Sequence, residues 1–312
     1  MVKQISQEKI VGKGCSFGTF GELLQGAYGE EGLDFLVTFP ITKYSYATYV
    51  PNVNGGEIKV FPHEKKKAQA FVVKLLKYLG ISTGGFVNIY SEIPVGKGLA
   101  SSTADLVSCA RAVSDYYGIK LDIREIEEIL RQIEPSDGVM YPGITSYFHK
   151  KVEKKEFLGC VPGITVVGID EGGIVDTIKF NKREKHFNQA EKIEYGFLLD
   201  ELSHAIKSLD YITIGRIATK SAEMNQRLQP KKTLDKLIYI NKQIDGMGVI
   251  IAHSGTCLGI MLSPFLPDYE EKLHLAKNYL YQLRGELSIY YSWDSESYSV
   301  NTIQNYPRDI NV

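Results

Sequence analysis

One segment constrains the fold of this chain more than any other: Glu92-Ile93-Pro94-Val95-Gly96-Lys97-Gly98-Leu99-Ala100-Ser101-Ser102-Thr103-Ala104. It follows a short strand-like run, Phe86 to Tyr90, and leads into a helical pattern over Ser101 to Tyr117. In that pattern Ala104, Val107, Ala110, Val113 and Tyr117 share one face, and Gly118 supplies the stop. Gly96 and Gly98 permit positive φ and close approach of a ligand to the backbone. The start of the following helix offers free N–H groups and the positive end of its dipole, which favour an anion. Lys97 adds a mobile positive charge. The segment therefore reads as a phosphate cradle, with a glycine turn capped by serine as the plain structural alternative. A P-loop is excluded, because Lys97 is followed by Gly98 and not by a hydroxyl residue. A dinucleotide fingerprint is excluded too, because Ser101 stands where its third glycine belongs.

Around this segment the chain alternates strand and helix signals. Phe35 to Phe39 and Tyr44 to Val50 are predicted strands, and Pro51 to Gly56 is a turn before Glu57 to Phe61. A helix is predicted from about Lys66 to Tyr78, ending at Gly80. The charge run His63 to Lys67 before it reads as a solvated helix start, or as a group of cations near a nucleotide. Asp122 and Glu125 form a capping box for a helix whose apolar stripe is Ile126, Ile129, Leu130 and Ile133, with Pro135 beyond its end. A second pattern begins near Cys160. It comprises a strand over Gly163 to Ile169, a turn at Asp170 to Gly173 and a returning strand over Ile174 to Phe180. Mostly helical sequence follows from Ala190 to Ile244. Strands over Gly248 to His253 and Cys257 to Leu262 flank the turn Ser254-Gly255-Thr256, and a helix near Tyr269 to Leu283 and a strand near Leu287 to Tyr291 complete the pattern. The mixture defines an α+β protein.

At 312 residues the chain has room for about two domains. The soft boundary falls near residue 158, giving domains over 1–158 and 159–312, with the charged stretch Lys150 to Glu156 as the expected connection. The 36 basic and 37 acidic residues balance, so nothing global points to a nucleic-acid partner. No run of 18 apolar residues suggests a membrane span, and the first residues lack the apolar core of a signal peptide. The four cysteines, Cys15, Cys109, Cys160 and Cys257, are far apart and form no metal-binding spacing, which fits a reducing cytoplasmic setting.

Pro94 to Ala104 resembles the second motif of the GHMP kinases, Pro-x-x-x-Gly-Leu-small-Ser-Ser. Gly18-Thr19-Phe20-Gly21-Glu22-Leu23-Leu24-Gln25-Gly26 resembles the first motif, and Ala252-His253-Ser254-Gly255-Thr256-Cys257-Leu258-Gly259 the third. The three occur in family order across nearly the whole chain. Within the superfamily they look most like the L-threonine kinase branch, which makes O-phospho-L-threonine for the cobalamin side chain. The resemblance implies an N-terminal domain like ribosomal protein S5 domain 2, a C-terminal ferredoxin-like α/β plait, and an active site between them. It implies ATP and Mg2+ as cofactors and a small hydroxy amino acid as substrate: threonine first, serine or homoserine next. It also admits a homodimer. A catalytically silent binding protein of the same fold is the competing class, against which the intact Ser101-Ser102 pair and Asp137 argue.

The resemblance also assigns roles. Pro94, Val95, Gly96, Lys97, Gly98, Leu99, Ala100, Ser101 and Ser102 would form the ATP-phosphate loop, with Ser102 approaching the metal and Lys97 either on a phosphate or solvated. Glu128, seven residues before Pro135, is similarly placed to the metal-holding Glu of mevalonate kinases. Its position off the apolar stripe faces it either to the cleft or to water. Asp137 would take the hydroxyl proton, but the lysine that supports this Asp in mevalonate kinases is replaced by Ser16. Glu22 would face the acceptor, where a carboxylate suits an ammonium group. Gly255 and Thr256 would lie beside substrate and phosphates. His63, His149, His186 and His204 carry no catalytic spacing, and Trp293 reads as packing.

Overall fold

A computed structural model describes residues 10–52, 54–173 and 185–295. Among the described residues ten strands form one sheet in the order β10 (Ser288–Tyr291), β7 (Thr165–Asp170), β9 (Cys257–Leu262), β8 (Gly248–Ile251), β1 (Gly12–Tyr28), β2 (Leu33–Asn52), β4 (Gly84–Ser91) and β3 (Ile58–Phe61), with the hairpin of β5 (Ile144–Phe148) and β6 (Glu153–Gly159) attached to β2. The N-terminal half is built on two long strands, β1 (Gly12–Tyr28) and β2 (Leu33–Asn52), joined by β3 (Ile58–Phe61) and β4 (Gly84–Ser91). The two strands expected at Phe35 to Phe39 and Tyr44 to Val50 are thus one. Pro40, opposite Thr19, would interrupt a regular ladder. It is accommodated because the β1–β2 register shifts on both sides, between Phe17 and Gly18 and between Thr19 and Glu22.

Helices α1 (Lys66–Tyr78), α2 (Ser101–Tyr117) and α3 (Ile123–Arg131) cover one face of this half. Phe71, Val107 and Ile129 meet Tyr46 and Val87 in a common core. The helix α2 lies close on β1: a Cβ on Gly14 would come within 2.2 Å of the Ser108 carbonyl oxygen. The capping box of α3 forms as predicted. The Arg124 amide donates to Asp122 Oδ1 at 2.8 Å, and the Asp122 amide donates to Glu125 Oε2 at 2.7 Å.

In the C-terminal half, β7 (Thr165–Asp170), β8 (Gly248–Ile251), β9 (Cys257–Leu262) and β10 (Ser288–Tyr291) lie in the order β10-β7-β9-β8. Every neighbouring pair is antiparallel, the 4-1-3-2 arrangement of a ferredoxin-like plait. Helices α4 (Gln189–Ser208) and α5 (Tyr211–Asn225) pack on β1 and β8 through Tyr195, Leu202 and Ile214. Helices α6 (Leu234–Gln243) and α7 (Tyr269–Arg284) cover the opposite face through Leu237 and Leu280. The returning strand expected over residues 174–180 lies outside the described residues.

The stretch Lys150 to Glu156, expected as an interdomain connection, is instead the turn and first half of a hairpin between β5 (Ile144–Phe148) and β6 (Glu153–Gly159). Of its charges, Lys151 and Lys154 are exposed, whereas Lys150 pairs with Asp34 and Glu156 with Lys207. The halves are joined within the sheet where β1 meets β8, at the pairing of Glu22 with Ile251. None of the four cysteines forms a disulfide. Trp293 is buried against Phe17, with ring centroids 4.8 Å apart, which makes it a packing residue. Among the described residues no helix is long and apolar enough to cross a membrane.

Candidate active site

A cleft of about 740 Å³ opens where the start of α2, the residues leading into α1, the loop after α3 and the β8–β9 turn converge. The glycine loop enters α2 through Ala100, which adopts left-handed geometry at φ 59°. That conformation costs an alanine about 1 kcal/mol, and it turns the chain so that α2 starts without a side-chain cap. The uncapped N–H groups of the first turn lie at the cleft wall formed by Ser101, Ser102 and Thr103, as an anion site requires.

Ser102 donates its hydroxyl hydrogen to Glu134, whose other oxygen is paired with Lys67. Lys65 stands beside it, 2.5 Å from Asp105 Oδ2, and Ser45 donates to Asp105 Oδ1 at 2.6 Å. Burial raises the Asp105 carboxyl above its ordinary value, against the opposing pull of Lys65. Three cations of the His63 to Lys67 run, Lys65, Lys66 and Lys67, thus line the cleft.

Glu134, not Glu128, reaches the motif serine. Glu128 is exposed on α3 and contributes nothing to the cleft wall. The helix ends at Arg131, and only the chain beyond it turns in toward α2. Spacing back from Pro135 could not show that, because it assumed a longer helix.

The outer loop departs from expectation in a second way. Lys97 points away from the cleft and pairs with Asp170 at 2.5 Å and with the Gly173 carbonyl at 2.8 Å, both in the C-terminal half. Pro94 is exposed and also outside the cleft wall, whereas Val95, Gly96, Gly98, Leu99 and Ala100 line it. Gly255 and Thr256 are likewise turned from the cavity and pack against the glycine loop. The Thr256 amide donates to the Lys97 carbonyl at 3.2 Å. A Cβ on Gly255 would lie 1.8 Å from that same oxygen, and one on Gly98 would lie 2.7 Å from the Gly255 α-carbon. Only glycine permits so close a contact of backbones. Lys231, buried, donates to the Gly255 carbonyl from behind, and burial lowers its ammonium to about 8. Gly255 and Thr256 of the third motif therefore brace the second, and its His253 and Ser254 reach the cleft instead.

Asp137 and Glu22 share the inner end. The Asp137 amide donates to Thr103 Oγ1 at 3.3 Å, which fixes the loop against α2. Burial, and next the charge of Glu134, push the Asp137 carboxyl up to about 7. The position of the family lysine is held by Ser16, fully buried and bonded only weakly to the Phe17 and Val139 carbonyls, so no cation lowers this carboxyl from there. Glu22 stands where β1 is bulged and joins β8. It is 3% exposed, and its Oε2 lacks a hydrogen-bond partner among the described residues. Burial, and then Asp137, hold its carboxyl well above the ordinary range.

Hard oxygen donors on one serine and one carboxylate, beside an uncapped helix start, suit a magnesium ion that takes its remaining ligands from phosphates and water. Among the described residues no cluster of three or more His, Cys, Asp or Glu side chains stands ready to hold a metal by itself. The donor set at Ser102 and Glu134 is therefore one that fits a phosphate-borne metal better than a dedicated protein cage.

A strand–glycine loop–helix cradle, two lysines and an acid of raised pKa in a cleft beside a plait define a small-molecule phosphotransferase. Residues 66–143 match the GHMP kinases N terminal domain. It is 28% identical to an L-threonine kinase of Citrobacter freundii over 78% of this chain and 83% of that one. It is 27% identical to an L-threonine kinase of Salmonella typhimurium, over 78% and 80% of the two chains. In fold it is similar to a homoserine kinase of Cytophaga hutchinsonii, with a TM-score of 0.73 at 13% identity over 94% of this chain and 98% of that one. It is also similar to the mevalonate kinase of Methanococcus jannaschii, with a TM-score of 0.62 at 19% identity over 92% and 99%.

Proposed function

We propose that this kinase transfers the γ-phosphoryl group of ATP to the side-chain hydroxyl of L-threonine, giving O-phospho-L-threonine. The observation that carries the reading is the buried Glu22 carboxyl, beside Asp137 at the inner end of the phosphate cleft, whose Oε2 lacks a hydrogen-bond partner among the described residues. Such a carboxylate is costly to bury without a counter-charge, and the ammonium of an amino acid supplies one. The two L-threonine kinase relatives support the choice among amino acids. Four cysteines outside any disulfide fit the reducing cytoplasm as its setting.

Phosphoryl transfer asks mainly for positioning and charge stabilisation. The amides that open α2, together with Lys65 and Lys67, receive the phosphates. Ser102 and Glu134 would hold Mg2+, which when bound screens the charge on the phosphates. Glu22 orients the acceptor through its ammonium. Asp137, with a pKa near the working pH, is suited to accept the hydroxyl proton.

The test is steady-state kcat/KM for L-threonine, L-serine and L-homoserine with ATP and Mg2+. Threonine should lead by at least about 10-fold, the low end of what one methyl in an apolar pocket supplies. A preference for serine or homoserine would reject threonine as substrate and keep the kinase.

A further inference from the structure

The opposite wall of the inner cleft carries a group of side chains that the three family motifs leave largely unaccounted for. His149 and Lys150, on the β5–β6 turn, and His253, after β8, all face the cavity. His149 is 3% exposed, and neither of its ring nitrogens has a hydrogen-bond partner among the described residues. Its ring lies edge-on to that of His253, with centroids 5.1 Å apart. His253 is itself fixed, Nδ1 at 2.6 Å from Gln25 Oε1 and Nε2 at 3.4 Å from Lys185 Nζ. Lys150 and Lys185 both pair with Asp34, the latter at 3.1 Å.

Lys150, which shares the Asp34 carboxylate with Lys185, sets its ammonium at the edge of a polar recess beside the buried His149 ring. Burial would raise the Asp34 carboxyl, but Lys185 and Lys150 together hold it below its ordinary value, so the carboxylate stays charged. Burial, and next the charge of Lys185, lower the His149 imidazole to about 3, so it is neutral and presents one N–H donor. A neutral donor beside an ammonium is a seat for a small anion. The Ser136 amide, which donates to the His149 carbonyl at 3.1 Å, ties this wall to the loop that carries Asp137.

We propose that Lys150 and His149 bind the carboxylate of the acceptor, so that the cleft holds a zwitterion between them and Glu22. This assignment rests on the hydroxy amino acid reading above. It makes the inner site a charge-reading one: an acceptor without a carboxylate leaves His149 and Lys150 unsatisfied, and one without an ammonium leaves Glu22 so. Buried groups left unpaired reject an analogue far more strongly than a missing methyl does.

The experiment compares L-threonine with L-threonine amide, which keeps the ammonium and hydroxyl but carries no negative charge. The wild type should favour L-threonine by about 100-fold or more in kcat/KM. In Lys150→Met, KM for L-threonine should rise by about 100-fold and its Kd by calorimetry likewise, with KM for ATP unchanged. Turnover of the amide should stay within about 3-fold of wild type, so the preference collapses. Lys150→Arg should recover most of it, and His149→Phe should lose it in the same direction with an unchanged circular dichroism spectrum. If Lys150→Met keeps the preference, or loses both acceptors equally, the seat is refuted and the hydroxy amino acid reading stands. If the wild type does not distinguish the two acceptors, the seat is again refuted while that reading survives. A wild type that phosphorylates no hydroxy amino acid overturns the functional reading, and the seat with it.

Discussion

Replacing Asp137 by asparagine should remove activity and add stability, a pairing that only a buried acid held at the wrong charge produces. Its carboxyl is raised to about 7 by burial and by Glu134. The folded chain thus holds this proton more tightly than the unfolded chain does. The stability gained from that is whole below pH about 4, the unfolded value, and is lost as pH rises through about 7. Each pH unit between the two values carries about 1.4 kcal/mol, so the ceiling is about 4 kcal/mol. Asp137 keeps partial contact with the cleft, and solvent there reduces the effect to about 1–3 kcal/mol. Asparagine carries no such loss. Asp137→Asn should therefore match the wild type in Tm near pH 4 and exceed it by a few degrees at pH 8, read by calorimetry across that range. In the same preparations kcat should fall about 100-fold, and the rise of wild-type kcat through pH about 7 should flatten. A Tm difference that does not vary with pH would refute the raised carboxyl. A kcat loss under about 3-fold would refute its role as base and leave it a turn residue.

The two other expectations concern the motif loops. Ser102→Ala should lower kcat by about 10-fold or more through loss of a contact to the metal or phosphates in the transition state, whereas Glu128→Ala, on the exposed face of α3, should stay within about 2-fold in the same ADP-release assay. A large loss in Glu128→Ala would refute the assignment of Glu134 as the partner of Ser102. Gly255→Ala places a Cβ 1.8 Å from the Lys97 carbonyl oxygen, so the loop must shift. Tm should drop and kcat/KM should fall about 10-fold or more without any change in the cleft's charged groups; wild-type values for both would show that the brace between the second and third motifs is dispensable.

The chain alone determined the elements that rest on local energetics. The α2 helix runs from Ser101 to Tyr117 and α1 from Lys66 to Tyr78, as their periodicity predicts, and the capping box of Asp122 and Glu125 forms because its donors and acceptors are three residues apart. The position of the phosphate loop between strand and helix was legible for the same reason, since glycine spacing and a helix start are local facts. So was the ordered set of three motifs that resembles the GHMP kinases. What the sequence did not show are meetings between residues far apart in it. Glu134 reaches Ser102 only because α3 ends early and the chain behind it folds back. Lys65 and Lys67 look like a solvated run until α1 is set against α2 and Asp105. Lys97 carries the charge expected of a phosphate ligand, yet the C-terminal half offers it Asp170. His149 carries no spacing that suggests catalysis, and becomes part of a site only when the β5–β6 turn comes to lie opposite His253, more than a hundred residues further on. Side-chain pairing across such distances depends on the register of β1 with β2 and β8, and that register is a property of the closed sheet and of no single stretch of the chain.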